Sequence, residues 1–235
     1  MEQLENLARK IDASVEAGDK CSLEAAIEDI QDQLFEEPSP LSSALLNYFR
    51  ANAYSGLRRL NPDYKDNPFQ WIQPEASEEI ISLRRATKSK AFADLDLVRR
   101  AQILTNLGNA LNRVGRPIEA ISAWDEALAL IPSFAMANGN RGYGLTMYSA
   151  GLYDCGHQCV FLAEAQKSYR AALAPNAVWD SGFQKSVADE FKNKLLEIST
   201  YMERACNLEG FDPHAFELGN KPEEIKFNSW RLENR

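Results

Sequence analysis

LTNLGNALNRVGRPIEAISAWDEALALIP, residues 104–132, decides the fold. Leu104, Leu107 and Leu111 fall on one side of a helix, with Gly108 among them. A second helix follows, on which Ala120, Trp124 and Ala127 recur at spacings of four and three. Small residues at 108 and 120 let two antiparallel helices approach closely. Trp124 fills the space beside them. Pro132 cannot continue a helix and stops the second one. The stretch therefore predicts a close-packed helical hairpin with an aromatic wedge.

Working outward, the pattern repeats. Gly108-Asn109-Ala110-Leu111 returns as Gly142-Tyr143-Gly144-Leu145 at an offset of 34, and earlier as Ala51-Asn52-Ala53-Tyr54 at an offset of 57. Ala165, Tyr169 and Ala172 repeat Ala120, Trp124 and Ala127 at an offset of 45, which implies an insertion of 11 residues. Glu79, Leu83 and Ala86 are a poorer copy, and Ala26, Ile30 and Pro38 a fragmentary one. A fixed period of this size is the mark of stacked helix pairs, whose end units deviate because they cap the stack.

The periodicity predicts helices near 2–17, 22–36, 40–60, 76–92, 94–114, 117–131, 134–150, 157–173 and 177–207. Alternating β-branched runs are missing, so the expected fold is all-α: an antiparallel helix-pair solenoid closed by a long C-terminal capping helix. On that reading residues 1–175 form the array and 177–235 the cap or the start of a second domain. Residues 61–75, rich in Pro, Asn and Asp and carrying Tyr64, Phe69 and Trp71, are expected to form a loop. A second loop is expected at 151–162. Phe227, Trp230 and Leu232 near Arg235 lack an evident packing partner, as at a truncated end.

The composition excludes several classes. The 235 residues are 45% hydrophobic, enough for a core, yet contain no apolar run of membrane-spanning length. The charged N-terminus is not a secretory signal. The net charge of −8 comes from residues 1–40, which hold eleven acidic and three basic residues. The other 195 residues carry 23 of each sign. Cys21, Cys155, Cys159 and Cys206 are too irregular for a disulfide framework, so reduced thiols and a cytoplasmic location are expected.

No phosphate-binding loop, nucleophile elbow, zincin helix or dinucleotide fingerprint occurs, and no enzyme or cofactor is expected of this chain. Cys155, His157 and Cys159 gather three soft ligands within five residues. At spacings of two and four they cannot share one helix face, and no metal site is expected. A basic stretch, Arg84, Arg85, Lys88, Lys90, Arg99 and Arg100, offers a second surface, one for RNA. The preferred surface is the outward side of the first helices. It is assigned to Asn52, Thr105, Asn109, Asn112, Arg113, Asn140, Tyr143 and Met147. Side-chain amides donate and accept, so they suit an extended peptide backbone of any sequence.

Residues 41–175 resemble tetratricopeptide repeat proteins, most closely over 101–134. The resemblance implies a concave helical groove that recognises a protein or peptide, in a regulator, sensor or scaffold. Some members hold a C-terminal carboxylate in a clamp. Asn109 and Asn140 fall on its asparagine positions, but Thr105 stands where the clamp has lysine, so a general peptide groove is implied. Residues 105–109, 115–120 and 134–140 and the closing PheAsnSerTrpArgLeuGluAsnArg also look like bacterial defence proteins with a repeat array before a HEPN domain. The HEPN arginine–histidine pair is missing. That resemblance implies the regulatory half of a ribonuclease effector, with the catalytic part beyond Arg235 and the partner a fused or neighbouring effector.

Overall fold

The computed structural model describes residues 2–61, 73–179 and 184–205. Among them are nine helices and no strand. In chain order they are α1 (Glu2–Ala17), α2 (Lys20–Phe35), α3 (Pro40–Leu60), α4 (Pro74–Lys88), α5 (Leu97–Arg113), α6 (Pro117–Leu130), α7 (Ala135–Ala150), α8 (Cys155–Ala172) and α9 (Gln184–Ala205). The chain divides into two compact units, Met1–Pro132 and Ser133–Arg235. The boundary lies inside the stretch that the sequence suggests is one array. In the first unit each helix packs on the next, and most extensively within the pairs α3–α4 and α5–α6. In the second, α7 pairs with α8 and α9 packs on α8.

Local sequence sets the ends. Asp19, Asp96 and Asp154 cap α2, α5 and α8 by accepting the backbone N–H groups of Ser22, Arg99 and His157 at 3.0, 2.8 and 3.0 Å. Ser39 caps α3, and Pro40 and Pro117 open α3 and α6, where the missing N–H is not needed. Gly115, at φ +75°, turns the chain from α5 into α6. The cap at Asp96 starts α5 later than the spacing suggests, and a 3-10 turn, Phe92–Asp94, precedes it.

The repeat is visible in the packing. A Cβ on Gly108 would lie 2.5 Å from the indole Nε1 of Trp124, and one on Gly142 would lie 3.0 Å from the ring of Tyr169. Both aromatic side chains are fully buried. The two pairs thus share one device, a glycine under an aromatic ring. The 11 extra residues of the second pair do not form the expected loop at 151–162. Most of them lengthen helices, by three residues on α7 after its glycine and seven on α8 before its aromatic residue. The turn between them, 151–154, grows by one. Asp154 makes this possible by capping α8 early.

Glu79, in the place of Ala120, departs from the small-residue pattern for a reason. It accepts from Arg58 Nε at 2.8 Å, and both side chains are buried between α3 and α4. Nearby, Arg50 donates to Ser82 Oγ at 2.9 Å and reaches Glu78 at 3.4 Å. A buried ion pair here stands where the α5–α6 pair carries a small residue.

The expected helix does not begin at 177: residues 177–179 are not helical, and α9 is described from Gln184. Val178 is extended and bridges Phe134: its N–H donates to the Ser133 carbonyl and its carbonyl accepts from the Ala135 N–H, each at 2.8 Å. Phe134 offers no side-chain cap to α7, so the chain returns to satisfy a first-turn N–H group. Trp179 then stacks on Phe191 of α9, with ring centroids 6.1 Å apart. Phe191 lies over Gly139 and beside Tyr169 at 5.7 Å. Phe191, Ile198 and Met202 form the buried stripe of α9.

Candidate functional site

In the first unit, the outward sides of α3 and α5 lie next to each other. Two contacts set their register. The Arg99 guanidinium sits over the ring of Tyr48, 5.2 Å from its centroid, and the Asn106 amide donates to Asn52 Oδ1 at 3.4 Å. Residue numbers rise together along both helices, so they run in the same direction. On α5 the stripe is Arg99, Gln102, Asn106, Asn109 and Arg113, spaced by three or four and all half-buried. On α3 it is Asn52, Ser55 and Arg59 beyond Tyr48. The same offset brings Arg59 level with Arg113.

Sequence reasoning placed Asn52, Asn109, Asn112 and Arg113 on this side; all four are half-buried, but Asn112 falls outside the stripe, on the side of α5 that carries Ala101, Thr105 and Gly108. Asn109 has a second role, since its side-chain oxygen accepts from Trp124 Nε1 at 3.1 Å. Thr105 does not belong to the face. It is 3% exposed, and its hydroxyl donates to the Ala101 carbonyl at 2.7 Å. Residue 105 stands one turn after Ala101 and one before Gly108, and its carbonyl accepts from Trp124 Nε1 of α6 at 3.2 Å, so the packing against α6 draws it inward. Gln102 and Asn106 were missed. Their signal was present in the spacing 102, 106, 109 and 113, which marks one polar stripe. In the second unit, Asn140, Tyr143 and Met147 share one side of α7; Asn140 is half-buried, and the other two are 42% and 44% exposed.

The basic stretch 84–100 is divided among elements. Arg84 pairs with Glu119 of α6 at 2.8 Å. Arg99 covers Tyr48, and Arg100 lies 5.5 Å from the centroid of Phe92. Arg85, Lys88 and Lys90 are exposed around the end of α4. The cysteine cluster also differs from expectation. Cys159 is fully buried and disulfide-bonded, so it is not a reduced thiol and offers no thiolate to a metal. Among the described residues no three His, Cys, Asp or Glu side chains are grouped to hold a metal ion, and no helix is long and apolar enough to cross a membrane. The aromatic residues of 64–71, Cys206, His214 and the segment 206–235 lie outside the described residues.

The electrostatics of the second unit centre on Tyr169. Burial pushes its phenol above the usual value, and the nearby charges of Glu190 and Glu197 push the same way. Glu197 also holds the Lys194 ammonium at 2.8 Å and raises it. No protein-family model matches the chain, and no curated protein matches it.

Proposed function

We propose that this protein is a recognition module of tetratricopeptide type that binds an extended segment of another protein along the α3–α5 face. One observation carries the reading: two helices in register present a continuous polar stripe of Asn52, Gln102, Asn106 and Asn109 over a fully packed base. Amides fixed to a rigid helix lose little entropy on meeting a peptide backbone, and each can donate and accept.

The test removes Asn52 and Asn106 together. They bond to each other, so the pair of alanines leaves neither amide stranded. Linear peptides selected on the full-length chain from a random display library are titrated against wild type and N52A/N106A. Binding is expected to weaken about tenfold, roughly 1.4 kcal/mol, with helicity unchanged by circular dichroism. Equal affinity for the two proteins would overturn the reading.

A further inference from the structure

The second unit carries a face of its own. α7 is antiparallel to α8, since Gly142 meets Tyr169 and Tyr148 meets Phe161. α9 is antiparallel to α8 as well, since Gln166 bonds Ser199 and Tyr169 meets Phe191. α7 and α9 therefore run in one direction, and Phe191 over Gly139 brings them into contact. Around that contact each helix exposes a stripe. On α7 it is Tyr143 and Met147, one turn apart and both exposed. On α9 it is Glu190, Lys194, Glu197 and Tyr201, spaced by four, three and four. The stripes are neighbours: Lys194 is raised first by its bond to Glu197 and also by the nearness of Tyr143 and Glu190. At the far end the exposed Tyr201 donates to Gln158 Oε1 at 3.4 Å, beside the α7–α8 turn.

Charge on this face is not balanced. Lys194 stands four residues after Glu190 and three before Glu197, and it binds Glu197 at 2.8 Å. Lys192 is taken by Asp189 at 3.0 Å. Arg141, the charged residue of α7, turns to Ser168 of α8 at 2.8 Å. Among the described residues, the exposed Glu190 carboxylate meets no cation at ion-pair distance.

Open rings, a thioether and an unmatched carboxylate select one chemistry. A guanidinium stacks on an aromatic face and pairs with a carboxylate through a planar fork. A flexible thioether adapts to apolar side chains of different shape. The turn from Tyr143 to Met147 rises about 6 Å. An extended chain covers that distance in about two residues, and alternate side chains point the same way. A nucleic acid strand could use the rings but would bring its phosphates to the carboxylate.

We propose that the α7–α9 face binds a basic extended peptide, in which an arginine stacks on Tyr143 and pairs with Glu190 while an apolar side chain two positions away sits on Met147 and Tyr201. This face belongs to the second unit and does not depend on the α3–α5 face.

Random linear peptides displayed and selected on the full-length chain supply the probe. One class is expected to carry arginine two positions from Leu, Met or Phe. Its affinity is expected to fall with added salt and to drop about tenfold in Y143A and in E190Q, with helicity unchanged. N52A/N106A is expected to leave it as it is. K194Q is expected to raise it about threefold, because a competing cation is removed. E190R is expected to prefer the same peptides with glutamate in place of arginine. Absence of an arginine class, or arginine peptides that bind Y143A and E190Q as tightly as wild type, would overturn the proposal; peptides that still respond to N52A/N106A would leave the α3–α5 face standing. Self-association of the chain that E190Q weakens, with no arginine class recovered, would also overturn it and make a second copy the occupant.

Discussion

At the scale of single residues, the glycine–aromatic pairs make the clearest predictions. Gly108→Ala puts a methyl group into the indole of a tryptophan that is 1% exposed. It is expected to cost about 2 kcal/mol, because overpacking here outweighs the better helix propensity of alanine. Gly142→Ala meets the Tyr169 ring at 3.0 Å, tighter than ordinary contact, so the ring must give by a few tenths of an ångström; that strain and the gain in helix propensity nearly cancel, to within about 1 kcal/mol. Urea unfolding of both variants checks the order. Tyr169 also titrates in a predictable sense. Its folded pKa is raised above the usual value near 10, so its contribution to stability is intact below that pH and declines as pH rises beyond it. Tyr169→Phe is expected to remove part of the alkaline loss of stability measured by urea midpoints between neutral and alkaline pH. Equal alkaline losses in both proteins would count against it. The glycines and aromatics were legible in the sequence because their sizes and spacing alone define the fit. The inward turn of Thr105 was not, since polarity says nothing about which neighbours surround a residue.

At the scale of helices, the buried Arg58–Glu79 pair joins α3 to α4. Removing one member leaves a charge without a partner in the interior. Arg58→Met is expected to cost about 3–5 kcal/mol, whereas R58M/E79L recovers most of that loss. Comparison of the single and double variants in chemical denaturation tests the sign. The caps act more mildly. Asp96→Ala is expected to cost about 1 kcal/mol and to expose the first amides of α5 to hydrogen exchange. Helix existence was legible from the period of 3.6 residues, and the boundaries followed the capping residues. Two elements were not. Pro175 and Asn176 end the helical pattern after α8, but nothing in the sequence links Val178 to Phe134, 44 residues earlier. The 11-residue insertion likewise carried no sign that it would lengthen helices, because a helical extension and a loop differ here only in where Asp154 caps.

At the scale of the whole molecule, each unit has its own aromatic centre, Trp124 in Met1–Pro132 and the Tyr169–Phe191 contact in Ser133–Arg235. Phe191→Ala is expected to lower the hydrogen-exchange protection of α7, α8 and α9 by about 3 kcal/mol, the usual cost of emptying a buried phenyl site. Unchanged protection across those helices would contradict the role given to Phe191.

Sequence by itself determined that the chain is helical, where its helix pairs lie, and which small and large residues meet inside each pair. Those properties depend on residue size, helical period and capping chemistry, all of which act over a few turns. Only the tertiary structure decided that α3 and α5 stand in register, that Asn106 joins Asn52 while Thr105 is buried, and that Glu79 answers Arg58. These outcomes depend on contacts between segments 21 to 54 residues apart, which no local pattern encodes.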